Sequence, residues 1–191
     1  MQKPNDYDDI KVGGDFTPIE LGGHHLIIKA VREQDSKKGD PMLVVAFDCA
    51  KNDSQPGYFS DLFEKDIRPE KKWPANGTHY IMTQDWQDKS KTSRSFKSFI
   101  TSFERSNKIE AVWGEDFCKQ FTGKKIGGVF GLNEEEYNGK VSKRHKLRYF
   151  CDDSKADSAT VPDPKLLNNG PKEDGDGFMD IPTGDTEEFP F

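Results

Sequence analysis

Apolar residues change their spacing along this chain, and those changes mark out its elements. His24-His25-Leu26-Ile27-Ile28-Lys29-Ala30-Val31 is dense in β-branched and apolar side chains and predicts a strand. Asp35-Ser36-Lys37-Lys38-Gly39-Asp40-Pro41 is turn chemistry, and residues 42–50 predict a second strand antiparallel to the first. Residues 58–63 either extend the sheet or cover it. Residues 77–86 predict a third strand, where Tyr80 and Met82 alternate with His79 and Ile81. The period then becomes helical. Phe96, Phe99, Ile100 and Phe103 fall at i, i+3, i+4 and i+7, one apolar stripe, with Ser93 or Ser95 to cap its start and Asn107 to stop it. A short turn of helix fits 115–120 and ends near Gly123.

Asn138-Gly139 between residues 124–137 and 140–151 is a two-residue type I′ hairpin signal. With Tyr137 opposite Lys140, Phe130 faces Leu147, Ile126 faces Cys151 and Gly128 faces Tyr149, an apolar side. Lys146, Arg148 and Phe150 fall with Val129 on the opposite, basic-aromatic side. Three strands, a helix and a closing hairpin is the order of a mainly β, five-stranded OB-like barrel with one amphipathic helix between strands 3 and 4. Another small β-barrel, or a sandwich with one helix, is the alternative. The polar, turn-rich residues 1–23 read as a lead-in, 24–151 as the domain and 152–191 as a tail.

Charge sharpens that division. The tail has eleven Asp or Glu against Lys155, Lys165 and Lys172, a net of −8, whereas residues 1–151 carry 25 basic and 23 acidic side chains. Such a segment cannot bury enough apolar surface to offset its ordering entropy, so composition predicts a disordered tether whose ends lie roughly 35 Å apart. Two apolar clusters stand near its end. They are Phe178-Met179-Asp180-Ile181-Pro182 and Glu187-Glu188-Phe189-Pro190-Phe191. Pro182 and Pro190 block helix there, and Phe191 offers a ring and a free carboxylate to an apolar pocket with a basic rim. An acidic tail also keeps a protein soluble, but solubility needs no aromatic tip.

A linker, acidic residues and a Pro-Phe terminus resemble the tail of single-stranded DNA-binding proteins, the SSB family. Asp180-Ile181-Pro182 and Glu188-Phe189-Pro190-Phe191 carry the resemblance. It implies that the tip recruits replication, recombination or repair proteins. The chain length and long acidic tail look more like the SSBs of phage or mobile-element modules than the compact housekeeping form.

The body has the chemistry for such a role. Residues 65–108 carry ten basic and five acidic side chains, and 118–151 carry eight and three. Rings are interleaved: Trp73 beside Lys71 and Lys72, Trp86 before Lys89, Lys91 and Arg94, and Tyr137 and Phe150 among Lys140, Lys143, Arg144, Lys146 and Arg148. Cations meet phosphates and flat rings meet unstacked bases, each stacked base contributing about 1–3 kcal/mol. In an OB barrel the turns after strands 1 and 4 flank the binding face, which here means Lys37-Lys38 and the 137–143 turn. Each residue also has a structural reading. Trp73 and Trp86 serve equally well as partial core, and Lys89, Lys91 and Arg94 as a solvated helix entrance.

Catalytic signals are weak. His24, His25, His79 and His145 have no metal-ligand spacing with one another or with Cys49, Cys118 and Cys151, so neither metal nor cofactor is expected. Residues 123–131 are glycine-rich without the order of a phosphate-binding loop. Three unpaired cysteines and a polar N-terminus fit a reducing compartment, the cytoplasm of a bacterial host if phage-encoded, with no membrane partner. The expectation is a non-enzymatic protein that binds single-stranded DNA and takes partners through its tip; homo-oligomers are compatible with it. The alternatives are a protein-interaction adaptor and, with Asp48, Asp61 and Glu64 as ligands, a metal-dependent nuclease.

Overall fold

The computed structural model describes residues 17–167, so the clusters at 178–182 and 187–191 lie outside the described residues. Its elements in chain order are β1 (Gly22–Asp35), β2 (Pro41–Cys49), α1 (Tyr58–Glu64), β3 (Thr78–Met82), α2 (Arg94–Asn107), β4 (Lys125–Tyr137) and β5 (Lys140–Cys151). Three 3-10 turns, Ala75–Gly77, Phe117–Phe121 and Asp153–Ser158, complete it. The strands form one antiparallel sheet in the order β3-β2-β1-β4-β5. The sheet is not closed. Its two edge strands nevertheless approach through side chains, His79 of β3 meeting Phe150 of β5 edge to face at 5.5 Å.

Residues 58–63 form α1 and cover the sheet. Gly57 enters that helix with φ 70°, and its first turn is capped from β2 by buried Asp48. Asp48 Oδ1 accepts from the Phe59 and Ser60 amides at 2.8 and 3.3 Å, and the Ser60 hydroxyl donates to Oδ2. Asp48 is therefore a structural cap, while Asp61 pairs with Lys65 on the surface. The helical stripe forms α2 as its spacing predicts. Ser93 caps it by accepting from the Phe96 amide at 3.1 Å, and the helix ends at Asn107 before Lys108 with φ 55°. Phe99, Ile100 and Phe103 are buried. They lie among a cluster of rings, Phe99 being 5.3 Å from Phe121 and 5.1 Å from Phe150.

Asn138 and Gly139 both take positive φ, 50° and 73°, as a type I′ turn requires. The expected register holds from Tyr137↔Lys140 to Phe130↔Leu147 and then slips by one at a bulge, giving Val129↔Tyr149, Gly128↔Phe150 and Gly127↔Cys151. One extra residue on β5 reverses the sidedness of everything after it. Phe150, expected on the basic surface, is buried in the core, and Tyr149, expected on the apolar side, is 46% exposed. Gly128 admits the close packing beneath, since a Cβ there would stand 2.4 Å from Leu26 and 2.6 Å from Leu147.

Folded chain also runs past Asp152, where composition begins the tail. Ala156 is buried, and Gly23 lies so close beneath it that a Cβ would stand 1.9 Å from the Ala156 carbonyl oxygen. Asp153 and Asp157 accept from the two ring nitrogens of His25 at 2.8 and 3.1 Å. Farther on, the Lys165 amide donates to Leu132 O and the Glu134 amide to Lys165 O, both at 2.8 Å. Backbone hydrogen bonds and the Asp153 and Asp157 carboxylates hold this stretch, with Ala156, Val161 and Pro162 packed against β1 and β4.

Candidate nucleic-acid interface

Register decides which of the expected binding residues share a surface. The β1–β2 turn follows Asp35, whereas the β4–β5 arms run on beyond Gly22, which pairs with Phe130. The two turns therefore stand at opposite ends of β1, with strand surface between them. Across that surface runs the row Arg32–Val44–Tyr80, continued by Gln34–Met42–Met82. Alternation puts both rows on the face opposite the inward-pointing Val31–Val45 and Leu43–Ile81, where Val44 and Met42 are buried and Arg32, Gln34, Tyr80 and Met82 are half-buried. Tyr80 lies near enough to Arg32 for the guanidinium to oppose the rise that burial gives its phenol pKa. Sequence reasoning passed over Arg32 and Tyr80; the strand alternation that puts Tyr80 and Ile81 on opposite sides was the available signal.

At one end Lys37 and Lys38 are exposed in the β1–β2 turn. Lys89 reaches that turn through Asp40 at 2.8 Å, which joins it to the loop following β3. That loop is folded on itself by the Gln84–Thr92 bridge and by Asp85 Oδ1 accepting from the Gln87 amide at 2.9 Å. It presents Trp86, 59% exposed, beside Lys91, whose partner is Asp88 at 3.0 Å. Arg94 is exposed on the first turn of α2. The structure thus brings Lys37, Lys38, Trp86 and Lys89 into one neighbourhood.

At the other end the hairpin splits its cations. Tyr137, Lys140, Arg144 and Lys146 fall on one side with Asn133 and Glu135, and Lys143 falls on the other with Glu134. Tyr137 is 68% exposed. Glu135 pairs with Arg144 at 3.5 Å and also with Lys146; Lys143 approaches Glu134 at 3.8 Å. Arg148 is occupied within the fold. Its guanidinium donates to Asn133 Oδ1 at 3.1 Å and to Asp163 O at 3.3 Å, tying down the chain beyond β5.

The 71–73 stretch does not join either group as expected. Trp73 is buried, its Nε1 donating to Gly77 O at 3.0 Å and its ring 5.7 Å from Phe63. The Lys71 amino group donates to Glu64 O at 2.9 Å and Lys72 is half-buried. Trp73 and Phe150 are therefore corrected from stacking candidates to core: the long 65–77 connection between α1 and β3 wraps the one, and the β5 bulge turns the other inward. His79 at the open seam is held low, at about 4, by burial and then by the Lys146 charge, so it adds no cation at neutral pH.

A second constellation has no signature in the spacing. Pairing Leu26 with Cys49 brings the end of β2 beside His24, and the following loop turns back so that Asp53 accepts from the His25 amide at 2.7 Å. Ligand atoms of His24, Cys49 and Asp53 lie within 4.8 Å of one another, a grouping able to hold a metal ion. His24 titrates above the ordinary imidazole range: burial opposes this, but the Asp53 carboxylate and then Glu20 O outweigh it. Asp53 is held low by the same partnership despite its burial. No helix among the described residues is long and apolar enough to cross a membrane. Neither a protein-family model nor a curated protein matches the chain.

Proposed function

We propose that the protein binds single-stranded DNA without strong sequence preference, as a non-catalytic SSB of the phage or mobile-element type acting in replication, recombination or repair. The strand order β3-β2-β1-β4-β5, with side chains meeting across the remaining seam, supports an OB-like body. That fold binds single strands on the strand 2–3 surface between the turns after strands 1 and 4. The observation that carries the reading is the nearness of Lys37, Lys38, Lys89 and exposed Trp86 at one end of the Arg32–Tyr80 surface, with Tyr137, Lys140 and Arg144 at the other.

Ion pairs such as Lys89–Asp40 and Lys143–Glu134 do not disqualify these cations. Exposed pairs contribute about 0–1 kcal/mol, so a phosphate readily displaces the carboxylate and releases bound counterions. On this reading Phe178, Asp180, Ile181 and Pro182, with Glu187, Glu188, Phe189, Pro190 and Phe191, recruit partner enzymes. A gel shift on single- against double-stranded oligonucleotides tests it, with preference for the single strand expected and equal or absent binding refuting it.

A cavity of about 470 Å³ favours the adaptor reading as an alternative. It opens between the end of β1 and the 113–117 segment, lined by Met42, Phe96, Trp113 and Phe117 and rimmed by Glu33 and Asp35. Its acidic rim suits a cationic protein segment rather than a nucleic acid.

A further inference from the structure

His24, Cys49 and Asp53 converge from β1, the end of β2 and the loop after it. The side chains of His24 and Asp53 are each 2% exposed, and Cys49 is 4% exposed. His24 Nε2 lies 3.1 Å from Glu20 O, which only accepts, so that nitrogen carries a hydrogen. His24 Nδ1 faces Asp53 Oδ1 at 2.9 Å, a second acceptor. The hydrogen shared between Nδ1 and the Asp53 carboxylate marks the position that a cation would take. Burial and the neighbouring Asp53 and Asp48 carboxylates push the Cys49 thiol far up, so without a cation it too keeps its proton.

We propose that His24 Nδ1, Cys49 Sγ and the Asp53 carboxylate form a binding site for a divalent cation of the zinc class, with water in the fourth position. Mixed nitrogen, sulfur and oxygen donors at tetrahedral count suit that ion. The exchange balances in charge. One divalent cation enters, and two protons leave to solvent, one from the His24 imidazolium and one from the Cys49 thiol. The buried group stays neutral in both states. Metal–ligand bonds of about 2.0–2.3 Å put tetrahedral donors about 3.3–3.6 Å apart. The 2.9 Å His24–Asp53 separation must therefore open by a few tenths of an ångström, and no donor pair need close by much more than about 1 Å.

Outer support for such a site is already in place. Glu20 O fixes the His24 tautomer, the Phe130 edge fixes its ring at 5.2 Å, and the His25 and Gln55 amides hold Asp53 at 2.7 and 2.9 Å. The nearby Asp48 is committed to capping α1. The site does not depend on the DNA-binding reading.

The test is titration of chelator-stripped full-length protein with Co²⁺ and Zn²⁺. One equivalent should bind, releasing protons and raising the melting temperature. Co²⁺ should give tetrahedral d–d bands and a thiolate-to-metal charge-transfer band. Cys49→Ser should abolish that last band, His24→Gln and Asp53→Asn should weaken binding at least tenfold, and Cys118→Ser and Cys151→Ser should leave it unchanged. Because buried variants risk unfolding, proton release and the spectrum of the wild type decide independently. Sub-stoichiometric binding, a spectrum without thiolate character, or a charge-transfer band that survives in Cys49→Ser overturns the proposal.

Discussion

Truncating Phe150 to alanine separates the observed register of the last hairpin from the uninterrupted one. In the observed register the ring lies 5.1 Å from Phe99, 5.8 Å from Phe47 and 5.5 Å from His79, and the residue is 6% exposed. Removing a buried phenylalanine costs about 3–5 kcal/mol, transfer and cavity together. At a urea slope of about 2 kcal/mol per molar, that lowers the unfolding midpoint by about 2 M. Tyr149, 46% exposed, should tolerate Tyr149→Ala within about 0.5 kcal/mol, a shift near 0.3 M. Without the bulge the two costs exchange places. Equilibrium urea unfolding followed by circular dichroism reads both variants. A mild Phe150→Ala beside a severe Tyr149→Ala would refute the register and, with it, the assignment of Phe150 to the core.

Gly23→Ala should detach the 152–167 segment, since its Cβ would meet the Ala156 carbonyl at 1.9 Å; limited proteolysis should then cut within 152–167 faster than in the wild type. Ser93→Ala should cost about 1 kcal/mol through loss of the cap on α2, read as a lowered melting temperature. The pH dependence has two arms. In the metal-free protein His24, with its raised pKa, contributes stability that is complete below about 6.5 and lost as pH climbs through its folded value, so His24→Gln should flatten the alkaline decline. His79, lowered to about 4, acts oppositely: the unfolded chain binds the proton first, so stability falls as pH drops from about 6.5 to about 4. His79→Phe should remove that acid arm, and an unchanged acid profile would show that burial is not what lowers His79.

Local signals were legible in the sequence, and long-range ones were not. The Asn138-Gly139 turn and the Phe96–Phe99–Ile100–Phe103 stripe depend on neighbours within a few residues, and both elements formed as their patterns require. The mainly β content, five strands with few helices, followed from the same local patterns. The β5 bulge carries no composition signal, because alternation reads equally well on either side of a one-residue slip; Phe150 was misplaced for that reason. Trp73 sits among lysines in sequence, yet its burial is decided by Gly77 and Phe63 in space. Composition also misjudges where folding ends, since residues 152–167 are fixed by His25 and a Leu132–Lys165 backbone pairing that no apolar count registers. The His24–Cys49–Asp53 group arises only when β1 pairs with β2.

On the proposed reading, single-strand binding turns on one exposed indole meeting a base. Trp73 is enclosed, so of the tryptophans flanked by cations only Trp86 is open enough to stack. Titrating wild type and Trp86→Ala with oligo-dT while following tryptophan emission at low and moderate salt tests it. The predicted result is quenching in the wild type, its loss in the variant, and affinity weakened about 5- to 150-fold, the equivalent of about 1–3 kcal/mol per stacked base. Undiminished emission of the wild type under saturating oligo-dT, or equal affinity in Trp86→Ala, would contradict it.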